Sequence, residues 1–255
     1  MSRFAGQGDA ERTLRLLWRA NEPPTRPGPK SDLTIDSIVD VAIEIADTES
    51  LDRLSMRAIG DRLGRSGMAA YSYVAGKSEL IDLMYDRVHA ELPTEYPLSG
   101  GWRAALSDWA EDLWRLYVRH PWMLRLSFAR PVMGPRQQDV YETGARLVFE
   151  IGLDTSVARR MVGVVFHLVR ATAQTAADSR VAAAETGTAD TAWWSRRRAV
   201  LGALVPDFAE RFPYSVLLAP TDLASPDPAR SLERDALDSF RVGLAVFLDG
   251  LDAQR

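Results

Sequence analysis

From Ser31 onward the apolar positions of the chain recur at intervals of three and four, the spacing of one helix face, and no segment alternates as a half-buried strand would. Thr34 stands at a capping position ahead of Ile35, Ile38, Ala42 and Ile45. Ser55 can cap a shorter helix that turns Met56, Ile59 and Leu63 inward. GRSG (64–67) reads as a tight turn, 68–73 as another short helix, and Lys77-Ser78 as the start of a longer one through His89. Pro93, Pro97 and Gly100-Gly101 then break the pattern. Beyond them, 102–119, 135–152 and 155–179 are long helical stretches, followed by a gap at 186–191 and a helix from Trp193. The segment 225–235 begins as a loop, and a last helix carries Leu237, Phe240, Leu244, Phe247 and Leu251. At the other end, 10–21 is amphipathic, with Leu14, Leu17 and Trp18 on one side, and the four prolines of NEPPTRPGPK (21–30) predict an extended linker. The expectation is an all-α fold in three parts: an extension with its linker (1–30), a small three-helix head (31–90) and a larger helical body (91–255).

Within the head, Gly60, Gly64 and Gly67 stand in or between helical stretches, although a glycine in a helix interior costs about 1 kcal/mol against alanine. Two short helices around a tight turn cross closely, so the first must present a small residue, which Gly60 supplies. Gly64 suits a helix end that needs a positive φ. Gly67 either opens the next helix or brings its backbone close to a ligand. These features describe a helix-turn-helix, whose second helix enters a DNA major groove, or an ordinary helical hairpin. Charge favours the former. The 255-residue chain carries a net −4, yet between Arg53 and Lys77 five basic residues (Arg53, Arg57, Arg62, Arg65, Lys77) face one acid, Asp61.

The same segment, LSMRAIGDRLGRSGMAAYSYVAGKSELIDLMYDRV, resembles the DNA-binding head of the tetracycline-repressor family of bacterial regulators, and the match runs from Leu33 to His89. Trp102, His120, Arg130-Pro131 and Tyr141-Glu142-Thr143 extend a weaker resemblance through the body. By that resemblance Arg57 reaches the groove, Gly67, Met68, Ala69 and Ser72 face base edges, and Tyr71, Tyr73 and Lys77 bind phosphates. Tyr73 stands where many members have histidine, and Arg65 where an aliphatic residue is usual. Met68, Ala69 and Ser72 are small or apolar readers, which leaves Arg57 as the main guanine contact. The extension holds six basic residues against three acids, and Arg26 and Lys30 are candidates for a minor-groove or backbone arm.

In the body, Trp102, Trp109, Trp114, Tyr117, Trp122, Met123, Phe128, Met133 and Tyr141 make 102–152 rich in aromatics and methionine. Most such residues are core, but several around a few polar groups suit a ligand pocket. The resemblance places Trp109, Leu113, Ser127, Arg130, Val140, Thr143 and Leu147 at that pocket. His167 and Arg170, at i and i+3 on the next helix, either orient the ligand or pair with an acid at a dimer interface. The resemblance also implies a homodimer built on the last helices, with Val165, Leu168, Val169, Phe240, Leu244, Phe247 and Leu251 as candidates. Two heads on adjacent groove faces would read a palindromic double-stranded operator.

Other classes lose ground on the same residues. The chain has no cysteine and three histidines, so neither disulfide, thiolate nor metal site is expected, and no cofactor. LSFARP (126–131) offers no histidine where the family's tetracycline sensors hold magnesium, so tetracycline–magnesium is not the expected effector. No nucleophile elbow, P-loop or dinucleotide fingerprint supports an enzyme. No apolar run approaches the roughly 18 residues of a membrane helix, and the start lacks a signal-peptide core, which predicts a cytoplasmic protein with no membrane partner. The expected function is a repressor released from its operator by a small molecule; a DNA-binding dimer without an effector is the alternative.

Overall fold

The computed structural model describes residues 4–20, 33–127, 129–218 and 228–253. Those residues form helices and turns, with no sheet; the one β-bridge joins Phe4 to Ser127. Arg26, Lys30 and Phe128 lie outside the described residues.

Helix α1 spans Ala10–Leu17 and is capped by Asp9, whose carboxylate accepts from the Arg12 amide at 2.8 Å. Thr34 caps α2 (Ile35–Thr48) as expected, with Ser37 completing the reciprocal box. Ser55 caps α3 (Met56–Arg62), and after the turn come α4 (Gly67–Tyr71) and α5 (Lys77–His89). Ile38, Ala42 and Ile45 of α2, Ile59 of α3, Ala70 of α4, Val74 and Leu80 are buried together.

The turn geometry depends on two glycines. A Cβ on Gly60 would stand 2.7 Å from the Gly67 nitrogen and 2.8 Å from the Arg65 oxygen, so no other residue lets α3 meet the turn this closely. Gly64 has φ +63° in open space, the left-handed conformation that ends α3.

Helix α5 is buried along almost its whole length, from Glu79 to Asp86 and again at Val88 and His89. It therefore buries carboxylates as well as apolar groups, and each has a partner. Glu79 accepts from the Ala75 amide (2.6 Å) and Arg12 (3.0 Å), Asp82 from the Gly6 amide (2.9 Å), and Asp86 from the Gln137 amide (2.9 Å). Burial pushes the Asp82 and Asp86 carboxyls above the usual carboxylate range, against the pull of those amides.

Beyond α5, α6 (Gly101–Arg119), α7 (Pro135–Phe149), α8 (Thr155–Thr186) and α12 (Pro228–Asp252) enclose a core of Leu106, Trp109, Tyr117, Val165, Val169 and Phe240. Helices α8 and α12 both run further than the sequence pattern predicts, the latter starting at Pro228 within the 225–235 segment, which is expected to be loop-like only at its start. Between them, α9 (Asp190–Leu204), α10 (Phe208–Arg211) and α11 (Pro213–Leu217) lie largely exposed, with Leu204, Tyr214 and Leu217 facing solvent.

Candidate DNA-reading face and ligand cavity

Helices α3 and α4 present an outward face. The Arg57 side chain is 91% exposed, 3.9 Å from the Asp61 carboxylate one turn on, and extends away from the fold. Met68 is 73% exposed, Tyr71 48%, and Ser72 is exposed beside them. Ala69 and Tyr73 are half-buried against the core.

Two expected contacts change role. The Cα–H of Gly67 that a Cβ would replace points into α3, where that Cβ would lie 3.1 Å from Arg57 Cα and from the Met56 oxygen. Gly67 is thus a packing residue against α3. Lys77 Nζ donates to the carbonyls of Leu51 (2.9 Å) and Leu54 (2.7 Å), tying the α2–α3 loop to the start of α5. Burial lowers its pKa, and the Asp52 charge opposes that shift. Arg62 is also committed, to Glu44 at 2.7 Å and Glu49 at 2.6 Å. Local charge counting missed these ties because the partners are loop carbonyls for Lys77 and acids at the end of α2 for Arg62.

The amphipathic N-terminal helix is a strap. Phe4 pairs with Ser127, Arg130 lies over the Phe4 ring at 5.5 Å, and the Trp18 Nε1–H donates to the Met133 oxygen at 3.0 Å. Between these anchors Arg12 reaches Glu79 and the Tyr73 oxygen, and Arg19 reaches Asp36 at 2.5 Å. Residues 4–20 thereby join α2 and α5 to the 127–133 loop.

That loop rims a cavity of about 280 Å³. Tyr85 and His89 of α5 form one wall, Tyr117 of α6 and Phe166 of α8 the back, and Gln137, Gln138, Val140 and Tyr141 of α7 the opposite side, with Pro131 at the rim. Of the sequence-predicted pocket residues only Val140 lines it. Trp109, Leu113, Thr143 and Leu147 are buried in the packing behind. The Trp109 ring is wedged where a Cβ on Gly144 would come within 2.4 Å, and it meets Phe166 edge-on at 5.4 Å. The Thr143 hydroxyl donates within α7, to the Asp139 oxygen at 2.7 Å. Ser127 and Arg130 serve the strap, and His167 is exposed on α8. Arg170 stands one layer back: it donates to the Leu124 and Leu126 carbonyls (3.2 and 2.9 Å) and lies 5.2 Å over the Tyr117 ring. His89, Gln137 and Gln138 were missed because nothing local marks them as facing one space.

The dimer candidates also need correction. Val165, Val169, Phe240, Leu244 and Leu251 are buried within the single chain, and Leu168 and Phe247 are half-buried against the same core. Periodicity finds the widest apolar stripe, and on α8 and α12 that stripe faces inward. The exposed apolar positions of these helices are Val164 (42%), Val242 (65%) and Val246 (66%).

His120 bridges the two parts of the fold. Its Nδ1 meets both Asp47 oxygens at 2.9 Å and its Nε2 the Glu91 carboxylate at 3.0 Å, while the Trp122 Nε1–H donates to the same Asp47. Burial alone would lower its pKa, but the bonds and charges of Asp47 and Glu91 outweigh it and raise it above the ordinary histidine value.

Residues 95–255 match the family model described as tetracyclin repressor-like, C-terminal domain. Over 252 residues the chain is 38% identical to the HTH-type transcriptional repressor DrrR1 of Streptomyces coeruleorubidus, covering 97% of this chain and 87% of that protein. An HTH-type transcriptional regulator of Saccharopolyspora erythraea is 33% identical over 119 residues, 47% of this chain and 50% of its own. The fold is similar to that of the Streptomyces coelicolor TetR family protein ActR. The match to its complex with (S)-DNPA has TM-score 0.65 at 26% identity, covering 89% of this chain and 100% of ActR. The match to its complex with actinorhodin has TM-score 0.65 at 25% identity, covering 88% and 98%.

Proposed function

The chain belongs to the tetracycline-repressor family, and from that premise we propose that it is a homodimeric transcriptional repressor that leaves its operator when a small molecule fills the cavity beside α5. One observation carries the reading. Helix α5 supplies Tyr85 and His89 to the cavity wall, while its first residue, Lys77, holds the loop that leads into α3. A ligand that shifts α5 therefore moves the support of the DNA-reading helices. The naming of DrrR1 as a repressor and the ligand complexes of ActR support the same assignment.

In this reading residues 31–90 bind DNA and 91–255 sense the ligand and dimerise. Arg57 reaches a guanine edge, with Met68, Tyr71 and Ser72 beside it, and the first-turn amides of α5 take the phosphate role expected of the Lys77 ammonium. The exposed valines of α8 and α12 are the surface that a second copy covers, and two heads then meet a palindrome one helical turn apart. A mobility-shift assay on the DNA upstream of the gene, paired with a thermal-shift ligand screen, tests this. A ligand that raises the melting temperature should weaken operator binding, and the operator should weaken ligand binding by the same factor. A stabilising ligand with no effect on operator affinity would rule out the effector role.

A further inference from the structure

Residues 4–20 precede the segment that resembles the family's head, yet they are fastened to both parts of the fold. At the body end the strap holds the 127–133 loop in two places. Phe4 pairs with Ser127, and the Trp18 Nε1–H donates to the Met133 oxygen at 3.0 Å. The second anchor sits on unusual backbone. Met133 has φ +62° and Arg19, next to Trp18, has φ +50°, a left-handed conformation that residues other than glycine rarely adopt. Such backbone persists where its surroundings over-determine it. Here they do: the Met133 amide donates to Gln137 Oε1 at 2.8 Å while its carbonyl takes the Trp18 bond, and Arg19 is held by Asp36.

At the head end the strap closes the turn between α4 and α5. Arg12 donates from Nε to Glu79 at 3.0 Å and from Nη2 to the Tyr73 oxygen at 3.3 Å. Glu79 is buried, and its other oxygen takes the Ala75 amide at 2.6 Å. The Gly6 amide fastens the strap to α5 a second time, at Asp82. Helix α4 depends on outside support. It has five residues, too few to hold a helix by its own bonds, and Ser66 gives it no side-chain cap. Arg12 lies in α1 and Trp18 ends it, about 9 Å apart at 1.5 Å per residue, so one helix carries a displacement from either to the other.

Resting on the reading of α3 and α4 as the DNA-reading helices, we propose that residues 4–20 are a tie that makes the position of α4 depend on the 127–133 loop of the body. Arg12 is the positioning residue at the head end and Trp18 its counterpart at the body end. The tie runs beside α5 and separately from it. A shift of the loop moves Trp18, α1 follows as a unit, and Arg12 passes the movement to the Tyr73 carbonyl, two residues beyond Tyr71. Arg12 sets the angle of the reading face without touching DNA.

The test is hydrogen exchange by mass spectrometry on the full-length protein. Trp18→Phe keeps an aromatic ring and removes the N–H, at a residue that is 53% exposed. The amides of 70–77 should then exchange at least about twofold faster, the low end of couplings of this kind, while those of α12 keep their wild-type rates. Arg12→Gln, at the opposite end, should speed exchange in the 127–133 loop in return, because coupling is reciprocal. A general loss of stability would speed α12 as well; that result, or an effect confined to the end that was changed, overturns the proposal. Phe4→Ala, at the other body anchor, gives the same reading should Trp18→Phe not fold. On labelled DNA from upstream of the gene, Trp18→Phe should weaken binding by about two- to thirtyfold with an unchanged salt slope, since no phosphate contact is lost. A salt slope lowered by about one would show that the strap itself binds DNA, and would overturn the positioning role. Faster exchange at 70–77 with unaltered DNA binding would support the tie and overturn instead the reading of α4 as a DNA-reading helix.

Discussion

At Gly60 the space for a methyl group is already filled by the backbone of residues 65–67. Gly60→Ala should cost about 1–3 kcal/mol as overpacking, read by urea denaturation, and should weaken DNA binding with it. Arg57 and Lys77 separate cleanly. Arg57→Ala should lower operator affinity by about 1–3 kcal/mol and leave the melting temperature in place. Lys77→Met should lower the melting temperature, because two loop carbonyls lose their donor, and leave the salt dependence of DNA binding unchanged. His120 gives a pH signature. Its folded pKa is raised, so its contribution to stability is fully present below the unfolded value of about 6.5 and is lost as pH rises through the folded value. Melting temperature against pH should therefore fall more steeply above neutrality for the wild type than for His120→Gln; parallel curves would refute the bridge. The capping roles of Thr34 and Ser55 and the parts played by Gly60 and Gly64 were legible in the sequence because each is settled within a few residues. The ties of Lys77 and Arg62 were not, since Leu51, Glu44 and Glu49 reach them only after folding.

At the scale of elements, periodicity located the helices from α2 to α8, and it misjudged where α8 ends and where α12 begins. Its larger error was of face: the stripe through Val165 and Phe240 marks where each helix meets its own core. The cavity was illegible for a related reason. It exists where α5, α6, α7 and α8 leave a gap between them, and no single helix pattern encodes that gap. The N-terminal helix was visible as amphipathic, but its attachment to α5 was not. Deleting residues 1–20 removes Arg12 from Glu79, which keeps the Ala75 amide, and the Gly6 amide from Asp82, both buried carboxylates. The expected loss is about 1–3 kcal/mol, reduced from that of a fully buried pair because Arg12 is half exposed. A truncated chain that melts at the wild-type temperature would show that the strap carries no load.

At the scale of the molecule, the acidic net charge and the basic, outward Arg57 face fit a protein that touches DNA over a small patch. A patch that small needs two copies to specify a site. Val242→Asp with Val246→Asp should leave the fold intact, since both side chains are mostly exposed, and should convert the proposed dimer to monomer by sedimentation at micromolar concentration. The central claim, that these paired heads read a specific operator through Arg57, is tested most directly by fluorescence anisotropy on labelled DNA from upstream of the gene. The account predicts saturation at two protomers per site, affinity well above that for random-sequence DNA, and a loss of about tenfold or more in Arg57→Ala. Equal affinity for random DNA, or an unchanged Arg57→Ala curve, would contradict it.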